Sequence, residues 1–343
     1  MKAAFITGHG GNEVVTIGER PEPVRKPGEV LLRLHAATVN RVDLYMRNSA
    51  VGITHTLPQI LGLDGAGVVE AVDESEKTIR VGQRALILPA VFCRRCAYCQ
   101  SGDPVLCQSI QFIGEHRDGT YAEKIAVPAE NVFPIPDGLD FGEAAALGVN
   151  FLTAWRMIFT KAQMKPWETA LIFGIGGGVS LAALQIIKAF GGTAIITSRD
   201  QSKLDRARAL GADHAINGKS EDVVARVNAI TGKRGVDVVI ENVGEAVWPL
   251  ALRALAKNGR LVTCGATTGG APSADIHRLF VRQLQIFGSS LGGYGEFADL
   301  LAFVGKHGIK PLVDSRFTLD QAHAALDRLE TGDQFGKVIV DIP

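Results

Sequence analysis

Two different spacings of apolar residues divide the chain into two kinds of segment. Over roughly the first 130 residues, short apolar runs at 29–34, 67–72 and 84–88 are punctuated by Gly and Pro, which is typical of the bent strands of a small barrel. From Thr169 onward, short aliphatic runs alternate with stretches of helical periodicity. That alternation predicts a parallel, doubly wound sheet. The pattern therefore predicts a β-rich domain followed by an α/β domain.

The tail of the chain returns to a helix and a strand that we expect to rejoin the first domain. We therefore predict one domain from 1–149 together with 287–343 and a second from 150–286. The predicted strands are 170–173, 194–197, 214–217, 236–240, 260–264, 285–287 and 337–340, and the predicted helices are 180–190, 202–210, 220–231, 247–255 and 319–329.

Composition and charge exclude several classes of protein. Lys plus Arg and Asp plus Glu both number 36, so the chain lacks the basic excess that nucleic-acid and membrane-surface proteins use. The N-terminal residues contain no apolar run long enough for a secretory signal, which predicts a cytoplasmic protein. The uncharged stretch 170–187 contains four glycines, which favour a buried strand, a turn and a helix over a membrane span.

A glycine cluster follows the first strand of the α/β series. Gly174, Gly176, Gly177 and Gly178 precede Val179 and an apolar helix, and Val179 or Ser180 takes the place of a further glycine. Glycines at such a turn let a pyrophosphate approach the first N–H groups of the helix. The context of strand, turn and helix predicts that these residues bind a dinucleotide.

The end of the next strand carries information on the type of dinucleotide. An NAD site places Asp or Glu there to accept hydrogen bonds from the ribose, but this chain has Ser198. Ser198 leaves room for a 2′-phosphate, and Arg199 and Lys203 supply positive charge. The sequence thus predicts NADP(H), with a solvated helix start as the alternative role for the two cations.

Four of the five cysteines lie within 15 residues. Cys93, Cys96, Cys99 and Cys107 can close a tetrahedral zinc site with no open position, which stabilises a loop and does not catalyse. We expect one structural zinc in a lobe at about 92–108. Free or oxidised thiols and an iron–sulfur cluster are the alternatives.

The motifs together resemble those of the medium-chain dehydrogenase/reductase superfamily, in its zinc-containing branch. The resemblance rests on the start Met1-Lys-Ala-Ala, on the runs 61–70 and 118–123, on the cysteine spacing and on the glycine turn. It implies a GroES-like catalytic domain and a Rossmann domain, and it identifies Cys93 to Cys107 with the structural zinc lobe of the family.

The positions of the catalytic zinc ligands differ from those of the alcohol dehydrogenases in that family. An early Cys, the His of a Gly-His-Glu motif and a later Cys correspond here to Asn40, Leu63 and Val149. Leucine and valine cannot bind zinc, and asparagine is a poor ligand. We therefore expect no catalytic zinc.

The segment 39–45 is instead similar to the zinc-free quinone oxidoreductases. That resemblance implies that Asn40, Asp43 and Tyr45 lie on the substrate side of the nicotinamide, with Tyr45 in the position of a proton-relay histidine. The resemblance to the zinc enzymes implies that Arg41 reaches the pyrophosphate, and that to the family as a whole implies the same for Lys337. Bracing a local turn is the alternative role for Asp43, and a surface position is the alternative for Lys337.

These features lead to a hypothesis about function. Without a metal, alcohol oxidation needs both a base for the hydroxyl proton and another group that stabilises the alkoxide. Conjugate reduction needs only hydrogen-bond donors that hold the enolate while it is protonated. We expect NADPH-dependent reduction of a small enone, enal, quinone or enoyl thioester. The alternatives are a zinc-independent NADP(H)-linked alcohol dehydrogenase or carbonyl reductase, and a retired NADPH-binding protein. The family resemblance implies a homodimer or homotetramer, and the balanced charge predicts no nucleic-acid or membrane partner.

Overall fold

The computed structural model describes residues 1–49 and 52–343, which form two compact units. The first unit contains Met1–Val149 and Gly293–Pro343, and the second contains Asn150–Gly292. The helices are α1 (Arg41–Asn48), α2 (Ala97–Gln100), α3 (Phe141–Ala145), α4 (Leu152–Trp155), α5 (Gly178–Phe190), α6 (Gln201–Ala209), α7 (Val223–Ile230), α8 (Trp248–Ala254), α9 (Ile276–Val281), α10 (Tyr294–His307) and α11 (Ala322–Glu330).

The first unit is built on a bent, largely antiparallel sheet, as in a GroES-like domain. Its central strand β3 pairs with β5, β9 and β18, so the C-terminal strand completes the N-terminal sheet. A second small sheet has the order β2-β1-β4. The strands of this unit are β1 (Lys2–Ile6), β2 (Val15–Glu19), β3 (Glu29–Val39), β4 (Gln59–Ile60), β5 (Asp64–Ala71), β6 (Arg84–Ile87), β7 (Ala90–Val91), β8 (Gln111–Phe112), β9 (Lys124–Pro128), β10 (Val132–Pro134), β17 (Val313–Thr318) and β18 (Lys337–Asp341).

The second unit is a Rossmann-type parallel sheet. The six strands pair in the order β13-β12-β11-β14-β15-β16, which is the order 3-2-1-4-5-6 of dinucleotide-binding domains. Helix α5 buries most of its residues because the run after the glycine turn carries no charge before Lys188. The strands are β11 (Thr169–Ile172), β12 (Thr193–Ser198), β13 (His214–Asn217), β14 (Val236–Glu241), β15 (Leu255–Thr263) and β16 (Gln285–Gly288).

Several boundaries differ from those predicted by the sequence pattern. The predicted domain boundary at 287 falls inside β16, and the pairing of this strand with β15 keeps it in the second unit. Helix α7 begins at Val223 and not at 220, because the Asp222 carboxylate accepts the Ala225 N–H and caps the helix there. Strand β3 continues to Val39 because its second half pairs with β18, a partner that local periodicity does not reveal.

In the part of the chain that the structure describes, no helix is both long enough and apolar enough to cross a membrane.

Candidate functional site

The four clustered cysteines converge on one point of the first unit. Cys93, Cys96, Cys99 and Cys107 place their sulfurs within 4.8 Å of one another, and the Sγ atoms of Cys93 and Cys99 are 3.9 Å apart. Tetrahedral zinc with Zn–S bonds of about 2.3 Å separates its sulfurs by about 3.8 Å. Within residues 1–49 and 52–343, no other group of three or more His, Cys, Asp or Glu has its ligand atoms this close. The geometry therefore fits a structural zinc.

Backbone N–H groups donate hydrogen bonds into the four-cysteine site. The N–H groups of Cys93 and Ser109 donate to Sγ of Cys107 at 3.3 and 3.4 Å. Backbone donors from Cys99 and Gln108 lower the pKa of Cys96 to about 6. Burial and, after it, the hydrogen bond with Cys96 raise the pKa of Cys99 to about 12. A bound dication would favour the thiolate form instead.

The glycine turn connects β11 to α5 in the second unit. Gly176 has φ of +115°, which favours glycine, and a Cβ on Gly178 would lie 1.8 Å from Oδ1 of Asn150. The Ser180 hydroxyl donates to the carbonyl oxygens of Gly174 and Gly177, and thereby holds the turn closed. No side chain caps the N-terminus of α5. The first N–H groups of the helix are thus placed as in a phosphate-binding turn.

The end of β12 presents a serine, with an aspartate two residues later. The Asp200 N–H donates to the Ser198 hydroxyl at 3.1 Å. The Asp200 carboxylate accepts both the N–H and the hydroxyl of Ser202 and caps α6. These bonds, above all that from the Ser202 hydroxyl, lower the pKa of Asp200. Arg199 is exposed, and Lys203 lies in the first turn of α6.

A buried polar cluster surrounds the start of α1 in the first unit. We call it the Asp64 cluster; its members are Thr38, Asn40, Asp43, Asp64, Tyr121 and Lys337. The Thr38 hydroxyl and the Asn40 amide donate to Oδ2 of Asp64 at 2.6 and 2.9 Å. The Val149 N–H donates to Oδ1 of Asp64 at 2.7 Å. Lys337 Nζ donates to Oδ1 of Asn40 at 2.7 Å and lies 3.5 Å from Oδ2 of Asp64.

The two carboxylates of the Asp64 cluster have unequal surroundings. Asp43 accepts the Asn40 N–H at 2.7 Å and the Tyr121 hydroxyl at 3.0 Å, both through Oδ2, while its Oδ1 is buried with no hydrogen-bond partner. Burial raises the pKa of Asp43 to about 7. Burial also lowers the pKa of Lys337, although the charges of Asp64 and Asp43 act in the opposite direction and raise it. Asp64, with three donors and the ammonium beside it, is therefore the counter-ion of Lys337.

Comparison with known families agrees with this architecture. The profile of the alcohol dehydrogenase GroES-like domain matches residues 26–137, and that of the zinc-binding dehydrogenases matches residues 178–306. An "NAD-dependent alcohol dehydrogenase" of Saccharolobus solfataricus is 30% identical over 331 residues, which cover 93% of this chain and 94% of that protein. The chain belongs to the zinc-type alcohol dehydrogenase-like medium-chain dehydrogenases/reductases. It is accordingly an oxidoreductase of that superfamily.

Other members of the superfamily are similar over the whole length. An "Alcohol dehydrogenase" of Geobacillus stearothermophilus is 30% identical over 345 residues, covering 100% of this chain and 99% of that protein. A solved structure of an "NAD-dependent alcohol dehydrogenase" is 37% identical, with a TM-score of 0.96 and full coverage of both chains.

Zinc-type dehydrogenases are named for a metal, so we asked whether positions 40, 63 and 149 could bind a catalytic zinc. The side chains at these positions do not fit such a site. The Asn40 amide is engaged at both ends, its oxygen by Lys337 and its nitrogen by Asp64. Leu63 is apolar, and Val149 offers Asp64 a backbone donor where a metal needs an acceptor. Positions 40, 63 and 149 therefore offer no set of zinc ligands, and Asn40 and the Val149 N–H are instead hydrogen-bonded to the ion pair of Lys337 and Asp64.

The structure groups only some of the side chains that the sequence analysis singled out. Asn40, Asp43 and Lys337 lie together in the Asp64 cluster, whereas Tyr45 is 37% exposed on α1 and Arg41 is half-buried at its first position. Their roles toward substrate and cofactor stay predictions. The sequence analysis did not identify Asp64 as the partner of Asn40 and Lys337, or Tyr121 as the partner of Asp43. The available signal for Asp64 was its position as a single acidic residue inside the apolar run 61–69.

Proposed function

We propose that this oxidoreductase reduces an activated carbon–carbon double bond with NADPH and uses no catalytic zinc. The observation that supports this most strongly is the double engagement of Asn40 by Lys337 and Asp64. A side chain in that state has no lone pair directed at a metal. The four-cysteine site is proposed to hold one structural zinc. This zinc would take no part in the reaction, because four protein sulfurs leave it no open position for a substrate.

Conjugate reduction suits a site without a Lewis acid. NADPH, when bound, would supply a hydride to the β-carbon of an enone, enal, quinone or enoyl thioester, and the α-carbon would then take up a proton. The protein has to hold the intermediate enolate oxygen with hydrogen-bond donors. Tyr45 is the proposed donor, since its side chain is exposed on α1. Asn40 and Asp43 are proposed to act from within the Asp64 cluster by fixing the start of α1.

The proposed preference for NADP(H) rests on the end of β12. Relatives named NAD-dependent include the Saccharolobus protein. In this chain Asp200 is the nearest carboxylate in sequence to Ser198, and its Oδ1 caps α6 by accepting the N–H and the hydroxyl of Ser202. Ser198 leaves space beside the ribose, and Arg199 is exposed next to it. A 2′-phosphate would therefore meet the Arg199 cation.

Replacing Arg199 by Ala is expected to raise the KM for NADPH by roughly tenfold or more and to leave that for NADH unchanged. The reason is the loss of a charge-assisted hydrogen bond, worth about 1.5 to 3 kcal/mol, to a group that NADH lacks. Steady-state kinetics with both cofactors measures it. Arg206→Ala, on the same helix α6, is the matched control. Equal changes for NADPH and NADH would contradict the assignment.

Turnover of a substrate panel tests the proposed reaction. The protein is incubated with NADPH and a series of enones, enals, quinones and enoyl thioesters, and NADPH consumption is followed with product analysis. We expect saturated products from at least one of these classes. The idea fails if none is reduced and alcohols are oxidised with NADP⁺.

A second candidate is NADP(H)-linked alcohol oxidation or carbonyl reduction without catalytic zinc. It is supported by the printed names of the relatives, which are alcohol dehydrogenases. The same panel, extended with alcohols and simple ketones, distinguishes the two. Tight NADPH binding with no turnover of any compound would instead support a retired cofactor-binding protein.

We also propose a homo-oligomer that associates through the second unit. Ile276, Phe280 and Val281 on α9 are 67%, 63% and 54% exposed, and Ile286 on the neighbouring edge strand β16 is 37% exposed. In the part of the chain that the structure describes, β16 pairs only with β15. An apolar patch beside an open strand edge is a ready surface for a second copy of the chain.

Replacing Phe280 by Asp is expected to convert the oligomer to monomers, because a charge would be buried where an aromatic ring packs. Sedimentation velocity at micromolar concentration measures the mass. Trp167→Asp, which changes an aromatic residue that is 80% exposed outside α9, controls for general effects. An unchanged mass in the Phe280 variant would place the interface elsewhere.

A further inference from the structure

The Asp64 cluster links the three positions at which the zinc-dependent relatives hold their metal. Asp64 follows Leu63 directly, accepts the Asn40 amide at 2.9 Å and accepts the Val149 N–H at 2.7 Å. A bound metal connects side chains from distant segments. Here one carboxylate makes the equivalent connections between β3, β5 and the residues that precede α4.

Lys337 supplies the positive charge of this connection. It is 4% exposed, at the first position of β18, and 297 residues from Asn40 in sequence. Its ammonium meets Oδ1 of Asn40 at 2.7 Å, the Val39 carbonyl oxygen at 3.2 Å and Oδ2 of Asp64 at 3.5 Å. These acceptors match the three donors of an ammonium group, so its hydrogen bonds are directed at the protein.

The charge balance of the cluster depends on this ammonium. Its titratable members are Asp43 on α1, Asp64 on β5, Tyr121 before β9 and Lys337 on β18. Asp64 accepts three hydrogen bonds and is fully buried, and the ammonium is its counter-ion. Without the ammonium, Asp64 would be a buried carboxylate with no cation beside it, a state that proteins avoid by taking up a proton.

We infer that Lys337, whose ammonium holds both the Asn40 amide and the Asp64 carboxylate, acts as a positioning residue. It fixes the Asn40 amide and, through it, the start of α1, on which Tyr45 lies. This inference rests on the proposed zinc-free function. It differs from the role that the family resemblance implies for Lys337, a contact with the cofactor pyrophosphate, and the two roles predict different measurements.

The test compares Lys337→Met, Asp64→Asn/Lys337→Met and the exposed control Lys306→Met with the wild type. NADPH affinity is measured by fluorescence titration, and kcat is measured from pH 6 to pH 9. All rates are ratios to the wild type on whichever reaction the wild type catalyses. Failure of the enone hypothesis therefore leaves this test intact, and zinc analysis of the same samples reports separately on the metal.

For Lys337→Met we expect a dissociation constant for NADPH within threefold of the wild-type value. Its kcat ratio should fall at least tenfold between pH 6 and pH 9, because Asp43, with a pKa of about 7, would ionise beside Asp64 with the ammonium removed. In the double variant neither side chain carries a charge, and Asp43, with its pKa of about 7, is the carboxyl group of the cluster that remains. Its kcat ratio should therefore change with pH less than that of Lys337→Met.

A kcat ratio for Lys337→Met that is flat across pH overturns the inference, and so does a tenfold or greater loss of NADPH affinity. If Lys337→Met does not fold at pH 8, thermal unfolding replaces kinetics, and it is measured for Lys337→Met at pH 6 and for the double variant. The inference requires Lys337→Met to be folded at pH 6 and the double variant to be folded as well. A double variant that is also unfolded at both pH values contradicts it, since the loss would then not arise from unbalanced charge.

Discussion

Asp64→Asn is expected to lower the free energy of unfolding by about 3 to 5 kcal/mol, because it leaves a buried ammonium without its counter-ion. Asp43→Asn should cost less than about 1 kcal/mol at acidic pH, although the two carboxylates belong to the same cluster. An amide can replace a protonated Asp43, which accepts two hydrogen bonds through one oxygen. Denaturant unfolding of both variants at pH 5 measures the contrast.

The difference in stability between the wild type and Asp43→Asn should depend on pH, because the pKa of Asp43 is raised in the folded protein. Its folded-state pKa is about 7 against a usual 3.8, so the folded protein binds this proton more tightly than the unfolded chain. The stabilisation is complete below about pH 4 and is lost as the pH rises through 7. At about 1.36 kcal/mol per pKa unit, the difference between wild type and Asp43→Asn should shift toward the variant by up to about 4 kcal/mol from pH 4 to pH 8.

Equal losses in the two variants would contradict the assignment of Asp64 as the ionised partner. A difference between wild type and Asp43→Asn that does not change with pH would show that Asp43 is ionised throughout. Tyr121→Phe serves as a control for loss of a hydrogen bond at Asp43 without a change of charge.

Cys107→Ser is expected to reduce bound zinc from one per chain to nearly none. The Cys107 sulfur is buried and accepts two backbone N–H groups, and a serine hydroxyl is a poor replacement for a thiolate ligand. Because metal binding stabilises only the folded lobe, the melting temperature should fall by several degrees or more. Elemental analysis and calorimetry measure the two effects.

The fifth cysteine provides the matched control for the zinc lobe. Cys264 lies in the second unit, where burial and Glu241 raise its pKa to about 12. Cys264→Ser should keep a full complement of zinc. A Cys107→Ser protein that also keeps its zinc would remove the basis of the four-cysteine site.

Local periodicity predicted the Rossmann unit well because each of its strands and helices is specified by its own apolar pattern. The observed strand order and the helix after the glycine turn confirm the α/β class. Helix starts were less predictable, since α7 begins where Asp222 provides a cap. The GroES-like class is also confirmed, although the second half of β3 depends on its pairing with β18, at the far end of the chain.

The Asp64 cluster shows why the site was only partly predictable. The absence of zinc ligands at positions 40, 63 and 149 could be read from residue types alone. The contact between Lys337 and Asn40 could not, because it joins residues 297 positions apart and depends on the register of β18 against β3. Tyr121 is similar, since only the fold brings its hydroxyl to Asp43.

The central claim is that this zinc-type dehydrogenase performs its chemistry without zinc. The most direct test is the zinc content of the purified protein, measured together with its NADPH-linked activity while a chelator removes metal slowly. We predict one zinc per chain at the start and an activity per folded molecule that does not follow the loss of metal. Two zinc ions per chain, with activity lost in proportion to the more weakly bound one, would contradict the account.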